Sequence, residues 1–543
     1  MQRRQFLGRL GLASVAGWTT VRADALRRPA AARSAVIASH GAVATSQPLA
    51  AQVALDVLQS GGNAADAVIA ASAMLCLLEP MHAGLGADAV GLSFDIGSGE
   101  LFGLRSRGRE FDDPISVSGG PRSPAAKSGS PQVGIPGLVD GWVALHGRFG
   151  RKPLADLLAP AIERADEGVP IPRLAAAAWA EAASRLQPLR PTGKDTEKDT
   201  EKDTEKDTED DAIGAVSPFL PGGQPPEVEQ IVPQPDLAGT LRLIALRGRG
   251  PVYEGELAGA LLAELNRGRA ADTRITDKQL AEQNAVWSAP LQVDYRGHRV
   301  AALPDAVATL ETLLMLRDYD AEALGQGSAD SLHLLVEAFK LATANPAETA
   351  VRLDGAAASL RRRQINPNEA REVAAAPPTA ASTGVVAVDA DGNQCVLAHT
   401  LGQPFGSGRG PASTGILLKS STVGRMPLAL MRLDDDLPTL AMASCGPGAD
   451  VVAAQMLTAL VDFDLPVQAA IDAPRVRIGR GTDLYVEPGL PSRTLQSLQA
   501  RGHTLVRAAP TAVGNVQAIA RRPIRKTLRG GSDGRADGAA VGY

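Results

Sequence analysis

Several features common in other protein classes are scarce or missing in this chain. Its 543 residues include only three cysteines, Cys76, Cys395 and Cys445, without the spacing of a zinc site or a disulfide framework. Basic and acidic residues number 55 and 60, a net charge of −5, which offers no basic surface to nucleic acid. Aromatic residues make up 3% of the chain. We expect a large soluble body with a core of small aliphatic side chains, and no metal, cofactor or nucleic acid partner.

The apolar run nearest the N-terminus is too short to anchor the protein in a membrane. It spans residues 10–18, whereas a stable transmembrane helix needs roughly 20 apolar residues. Arg3 and Arg4 precede it, a pattern typical of a twin-arginine export signal, although an amphipathic first helix is the alternative. We predict that residues 1–32 are a removable signal and that the mature protein is periplasmic or otherwise extracytoplasmic, without a stable membrane anchor.

One stretch of the chain has no apolar face to bury. The tetrapeptide Lys-Asp-Thr-Glu occurs four times in succession over residues 194–209. Hydrophobic burial there cannot offset the entropy of ordering the chain. We predict a solvated, disordered or marginally helical insertion over about residues 192–212.

Elsewhere, apolar periodicity and turn residues predict alternating helices and strands. In the first helix, Leu49, Val53, Val57 and Leu58 are expected to form the buried stripe. The second is apolar nearly all round and is expected to lie between layers. The main predicted helices are 47–60, 64–78, 153–167, 174–186, 237–246, 257–266, 329–342 and 449–460, and the main strands are 43–46, 90–94, 291–295, 300–303, 439–444, 484–486 and 504–506.

A hydroxyl residue opens a predicted hairpin in the last third of the chain. Ser382 and Thr383 precede an apolar strand over residues 385–388, and Asp391, Gly392 and Asn393 form a turn signal before a second strand over residues 395–400. Taken alone, this pattern is an ordinary hairpin, and Ser382 could be an ordinary serine at the start of a strand.

Other motifs in the chain suggest a functional role for this hairpin. In their order they resemble the γ-glutamyltransferase (glutathione hydrolase) family, most closely a bacterial branch of it, with degenerate active-site motifs. The segments are SGGNAADA (60–67), GLGAD (84–88), IPGLVDGW (135–142), FGSG (405–408), TGILL (414–418), AIDAPR (470–475) and GSDGRADG (531–538). The resemblance implies an N-terminal nucleophile hydrolase of the α/β (α+β) class, a four-layer αββα sandwich.

The resemblance also implies maturation by self-cleavage before the nucleophile. The matching position is Ser382, so residues 33–381 would form the large-subunit region and residues 382–543 the small-subunit region of one precursor. The freed α-amine would act as general base for the hydroxyl, because its pKa of about 8 is close to working pH. Serine in place of the family's threonine keeps the oxygen but loses the methyl group that restricts χ1.

The remaining site residues follow from the same resemblance. Thr400 would support the nucleophile, and the backbone N–H groups of Gly448 and Ala449 would bind the oxyanion. Arg109, or failing that Arg107, would bind a substrate carboxylate, because guanidinium and carboxylate pair through two hydrogen bonds. Thr383 and Gly402 are the other substrate-binding candidates, and Gly402 stands where the family has an asparagine.

Departures from the family pattern cluster at the predicted site and leave two functions open. Besides Gly402, the segment that carries the aspartate for the substrate amine is missing after Lys419. Losing partners for a charged ligand costs about 3–5 kcal/mol at each centre. The first hypothesis is an amide hydrolase or acyltransferase acting on a small γ-glutamyl or other acyl-amide substrate. The alternative is a catalytically inactive relative that acts as an exported binding protein, uncleaved before Ser382.

Overall fold

The fold is described from a computed structural model, which covers residues 33–108, 133–186, 219–267, 269, 274–344, 353–374, 380–420, 426 and 428–543. The predicted signal peptide, the Lys-Asp-Thr-Glu repeat and Arg109 lie outside these residues. Within them, no helix is long and apolar enough to span a bilayer.

Strands form two large antiparallel sheets and two small ones. In chain order they are β1 Val36–Ala38, β2 Ala42–Thr45, β3 Asp88–Asp95, β4 Glu100–Ser106, β5 Val169–Pro170, β6 Ile231–Val232, β7 Val286–Ser288, β8 Leu291–Tyr295, β9 His298–Ala302, β10 Ala381–Val388, β11 Gln394–Gly402, β12 Leu428–Asp434, β13 Leu437–Cys445, β14 Val476–Ile478, β15 Asp483–Val486, β16 Thr504–Arg507, β17 Asn515–Arg522, β18 Thr527–Ser532 and β19 Ala539–Gly542.

Helices occupy much of the remaining chain. They are α1 Pro48–Gln59, α2 Ala64–Leu78, α3 Leu138–Phe149, α4 Leu154–Glu167, α5 Arg173–Leu186, α6 Pro235–Arg247, α7 Gly250–Tyr253, α8 Ala258–Asn266, α9 Asp277–Ala281, α10 Val307–Leu316, α11 Ala321–Leu324, α12 Ala329–Ala344, α13 Gly355–Arg362, α14 Ala449–Val461, α15 Val467–Asp472 and α16 Ser492–Ala500.

The two large sheets stack face to face, and helices cover both outer faces. Sheet I has the order β19-β2-β10-β11-β3-β4-β7, and sheet II has the order β1-β18-β17-β13-β12-β9-β8. A buried apolar cluster that includes Val386, Val396 and Ala441 fills the space between them. Helices α1 and α2 contact sheet I, while α10 and α14 contact sheet II. The predicted four-layer αββα sandwich is confirmed.

Both predicted subunit regions contribute strands to each large sheet. In sheet I, β10 and β11 lie between β2 on one side and β3 on the other, and β19 lies beyond β2. In sheet II, β12, β13, β17 and β18 are enclosed by β1 and β9. Each sheet therefore needs both parts of the chain.

Local signals explain why several predicted elements match the structure closely. Helix α2 begins where predicted because Asn63 accepts a hydrogen bond from the Asp66 N–H while the Asp66 carboxylate accepts one from the Asn63 N–H. Every residue of α2 is buried, as its all-round apolar pattern predicted. The predicted stripe of α1 was wrong at Leu49, which is 43% exposed. Small side chains at Ala50, Ala51 and Ala54 pack inward in its place.

Candidate active site

Ser382 lies near the beginning of β10, inside sheet I. Its partner across the β10–β11 pair is Thr400, and the register shifts at a bulge between Ala381 and Ser382. A bulge kinks the strand and re-aims the neighbouring side chain. Residues of β10 alternate between the two faces of the sheet, so that Val386 packs between the sheets and Val385 packs toward the helices. By this alternation Ser382 faces sheet II.

Two groups from the end of β13 contact the Ser382 side chain. The backbone N–H of Gly446 donates to Ser382 Oγ at 2.8 Å, and Ser382 is 1% exposed. The Cys445 thiol also hydrogen-bonds Ser382, and burial raises the pKa of this thiol far above its ordinary value. Cys445 is therefore a protonated neighbour of the hydroxyl and supplies no base.

The carbonyl group that precedes Ser382 has its own hydrogen-bond donor. Thr400 Oγ1 donates to the Ala381 carbonyl oxygen at 2.6 Å, and the N–H of Gly402 donates to Thr400 Oγ1 at 2.9 Å. A hydroxyl has one proton to donate, so the Gly402 N–H and the Ala381 carbonyl together fix its orientation. The Ala381 carbonyl before the bond and the Ser382 side chain after it are thus each held by a polar contact, and Thr400 polarises the carbonyl.

The predicted oxyanion residues lie in the turn after β13, but another residue of that turn reaches Ser382. Gly448 has φ +74° and begins helix α14, while the N–H of Ala449 donates to the Gly446 carbonyl at 3.2 Å. The N–H that contacts the hydroxyl belongs to Gly446. Sequence reasoning missed Gly446 because the family pattern pointed to the later pair. The signal was its position directly after the strand that faces Ser382.

Thr383 points to the opposite face of sheet I from Ser382. Its hydroxyl lies 2.6 Å from Ser46 Oγ, and Ser46 donates to the Glu79 carboxylate at 2.8 Å. Thr383 also pairs across the ladder with His399, which is fully buried. Burial lowers the pKa of His399 to about 4, so its ring is neutral near neutral pH. The structure does not bring Thr383 together with the Ser382 hydroxyl.

The loop that carries the predicted carboxylate-binding arginines begins where β4 ends, at the same end of sheet I as the start of β10. Three strand spacings separate the β10 position of Ser382 from the end of β4, about 14 Å. Arg107 follows β4 and lies 3.4 Å from the Asp305 carboxylate, which also lies 3.3 Å from Arg105. The Arg107 guanidinium is therefore partly neutralised, and it is not in direct contact with Ser382.

A buried ion pair fixes the start of that loop. Lys419 Nζ donates to Asp88 at 2.6 Å and to the Gly108 carbonyl at 3.2 Å, and the Gly108 N–H donates to Asp88 at 2.7 Å. Lys419 and Asp88 are each at most 3% exposed. Lys419 thus connects the C-terminal part of the chain to the residue before Arg109. Sequence reasoning did not foresee this contact, because 331 residues separate its partners.

Gly402 has no room for a side chain. Its φ is +83°, and a Cβ built on it would lie 2.7 Å from the Ser420 carbonyl oxygen. An asparagine here would need a different course of both segments. The only group that Gly402 offers to the site is its backbone, which orients Thr400.

A family model described as gamma-glutamyltranspeptidase matches residues 50–424 and 425–543. Among curated proteins, the chain is 30% identical to the acylase ACY 1 proenzyme of Pseudomonas sp. (strain V22), over 93% of each chain. It is 29% identical to a glutathione hydrolase-like proenzyme of Bacillus subtilis (strain 168), covering 93% of this chain and 99% of that one.

Solved structures extend the same comparison. A cephalosporin acylase from Bacillus halodurans superposes with a TM-score of 0.79 at 29% identity, covering 95% of this chain and 98% of the other. The similarity therefore extends over both predicted subunit regions.

Proposed function

Because the chain belongs to the gamma-glutamyltranspeptidase family, we propose that it is a proenzyme that cuts its own backbone between Ala381 and Ser382 and then hydrolyses or transfers acyl groups. The observation that carries the proposal is the pair of contacts at this bond. Thr400 donates to the Ala381 carbonyl oxygen, and the Gly446 N–H donates to Ser382 Oγ. An ordinary hairpin requires neither contact.

Self-cleavage would begin when Ser382 Oγ attacks the Ala381 carbonyl carbon. The C–N bond breaks, the nitrogen of Ser382 gains a proton, and an ester joins Ala381 to the hydroxyl oxygen. Thr400 stabilises the negative charge that develops on the carbonyl oxygen, as a fixed donor does in an oxyanion hole. Water then hydrolyses the ester, leaving a carboxylate on Ala381 and a free α-amine on Ser382.

The same hydroxyl would carry the acyl group during turnover. The α-amine of Ser382 would take the hydroxyl proton, which answers the need of an alcohol nucleophile for a base within hydrogen-bond reach. The Gly446 N–H, which donates to Ser382 Oγ, is a backbone donor beside the attacking oxygen. Gly448 and Ala449 are the further backbone donors that we propose for the oxyanion.

The substrate we propose is a small acyl-amide whose acyl group needs no asparagine at position 402. Gly402 cannot hold a side chain, and the Arg107 guanidinium shares its charge with Asp305. Relatives with the word acylase in their names support this choice, while γ-glutamyl amides are the second candidate because glutathione hydrolase relatives match almost as well. Arg107 and Arg109 are the candidates for binding any substrate carboxylate.

Export completes the proposal. We propose that residues 1–32 direct the chain through the twin-arginine route to the periplasm or another extracytoplasmic space, and that the large and small chains of one precursor remain together there. The three cysteines are buried and free, so assembly of the two chains does not rely on a bond between these thiols.

The test is the intact mass of the purified protein, with N-terminal sequencing of each fragment. We expect two chains, one of which begins at Ser382. Ser382→Ala should remain one chain with the thermal midpoint of a folded protein. A wild-type protein that stays intact during prolonged incubation would contradict the proposal and favour the non-catalytic alternative.

Activity on substrates is a separate measurement. The cleaved protein should release amine from an acyl-amide panel that contains glutathione and a cephalosporin side-chain amide, and Ser382→Ala should release none. Cleavage without turnover on any member of the panel would leave the processing mechanism standing and overturn the choice of substrate class.

A further inference from the structure

A second cluster of chemically capable side chains lies outside the nucleophile site. His333 and Glu337 are one turn apart on helix α12, and His503 comes from the segment just before β16. His333 Nδ1 and His503 Nε2 are 2.9 Å apart, and one ligand atom from each of the three residues lies within 4.8 Å of the other two. All three side chains are buried. Sequence reasoning expected no metal site because the cysteines lack the spacing of metal ligands, and 170 residues separate His333 from His503.

The orientation of His333 leaves one ring nitrogen free to act as a ligand. Its Nε2 lies 2.8 Å from the Asn366 carbonyl oxygen, which can only accept a hydrogen bond, so Nε2 carries the proton. Nδ1 therefore has a lone pair directed at His503. Histidines that bind metals commonly donate their other N–H to a backbone carbonyl in this way.

Glu337 is held by donors that leave lone pairs available. Lys340 Nζ donates to one carboxylate oxygen at 2.8 Å, and the Arg371 N–H donates to the other at 3.0 Å. A carboxylate has about four acceptor positions, so two donors do not saturate it. Hydrogen bonds of this kind orient the carboxylates that bind metal ions.

We propose that His333 Nδ1, Glu337 and His503 Nε2 bind a Zn²⁺ ion between helix α12 and the segment before β16. Two imidazoles and one carboxylate match the donors that zinc prefers. With zinc–nitrogen bonds of about 2.0–2.1 Å and tetrahedral angles, the two ring nitrogens would be about 3.3 Å apart. The rings would separate by a few tenths of an ångström from their present 2.9 Å, and the Glu337 oxygen, which lies within 4.8 Å of both nitrogens, would move to the same spacing.

Access and protonation set limits on the affinity. His333 is among the residues that line a cavity of about 420 Å³, whereas Glu337 and His503 do not line it, so an ion would enter past the His333 ring. The proton on His503 Nε2 must move to Nδ1, which is buried without a hydrogen-bond partner in the described structure. Lys340 places a positive charge beside the carboxylate. Both factors oppose binding, so we expect micromolar rather than picomolar affinity.

The direct test is titration of the full, chelator-treated protein with ZnCl₂ by calorimetry. We expect one Zn²⁺ per chain and a rise in Tm of about 2–4 °C at saturating zinc. Glu337→Gln and His503→Gln should each lower the affinity at least tenfold. His298→Gln is the matched control, because His298 pairs with Asp434 at a separate position and should leave zinc binding unchanged.

Lys340→Met is a second, more demanding test of zinc binding at Glu337. If zinc binds beside Glu337, removal of the neighbouring positive charge should tighten binding severalfold, even though the apo protein loses stability. Titration with CoCl₂ should give the visible absorption of a tetrahedral site. No stoichiometric Zn²⁺ binding in the wild-type protein, or binding equally strong in Glu337→Gln and His503→Gln, would overturn the proposal.

Discussion

Ser382 and Thr383 are adjacent hydroxyl residues on one strand, but the two faces of sheet I give them different surroundings. Ser382 faces sheet II, beside a bulge, with backbone and thiol contacts around its oxygen. Thr383 faces the helices and joins a closed chain of hydrogen bonds through Ser46 to Glu79. The bond before Ser382 is polarised by Thr400, whereas Thr383 is tied into the packing. These surroundings are why we propose Ser382 as the nucleophile and a structural role for Thr383.

The largest difference in processing should be seen between the variants that remove each hydroxyl, Ser382→Ala and Thr383→Ala. Thr383→Ala should still be processed at Ser382, within about threefold of the wild-type rate, because its hydroxyl faces away from the Ala381 carbonyl. Ser382→Ala should give no fragment at all. Time-resolved mass spectrometry of freshly purified precursor measures both. Loss of cleavage in Thr383→Ala, with a normal Tm, would show that the face of the strand does not separate the roles.

The second effect concerns the donor to the carbonyl. Thr400→Val keeps the shape of the side chain but removes the proton that Ala381 accepts, so processing should slow by about 10²–10³-fold, as for other single oxyanion donors. Thr383→Val is the matched control, since it removes a neighbouring hydroxyl from the other face. Equal processing rates in the two variants would indicate that polarisation of the carbonyl is unimportant.

The third effect is a pH dependence of the free energy of unfolding, which we expect from His399, the partner of Thr383 in the ladder. The folded pKa of His399 is about 4, below its ordinary value of about 6.5, so the unfolded chain takes up the proton first. Its contribution to stability is present above about pH 6.5 and is lost as the pH falls toward 4, at up to about 1.4 kcal/mol per pH unit.

Urea denaturation of the uncleaved Ser382→Ala protein at several pH values measures this slope. Adding His399→Gln should make the slope shallower by about one proton. Two other buried histidines, His333 and His503, also have lowered pKa values, but they contribute equally to both proteins. Identical slopes would mean that His399 does not titrate on unfolding.

The smallest effect is the stability cost on the structural face. Thr383→Val removes the hydrogen bond to Ser46 and should lower the free energy of unfolding by about 1–2 kcal/mol. The same denaturation assay in the Ser382→Ala background measures it. A stability equal to that of the parent would mean that the Ser46 and Glu79 network is satisfied without Thr383.

Local sequence signals predicted much of the fold because they act over a few residues. The apolar run over residues 64–78 located α2, and the Asp391–Asn393 turn located the hairpin. Helix α10 was missed because it has no side-chain cap and its buried positions include Thr309, Glu311 and Thr312, so no continuous apolar pattern marks it. Its buried surroundings are supplied by tertiary contacts.

The site was harder to predict, since its contacts join distant parts of the chain. The motif pointed to Ser382 and Thr400, and the structure brings these two side by side. The Gly446 contact, the Lys419–Asp88 pair and the His333–His503 pair each span 64 residues or more, and no periodicity encodes them. A family motif can indicate such contacts only at positions where this sequence matches the motif.

Both large sheets contain strands from the predicted large-subunit and small-subunit regions, and this has a consequence for the cleaved molecule. Cutting the Ala381–Ser382 bond would leave two polypeptides that share both sheets rather than meeting at a surface. Pulling one away would break the ladders on both sides of β10 and β11. Dilution should therefore not dissociate the pair, and the two polypeptides should come apart only when the whole molecule denatures. The nicked protein would unfold and dissociate in one cooperative step, so its denaturation midpoint should rise with protein concentration.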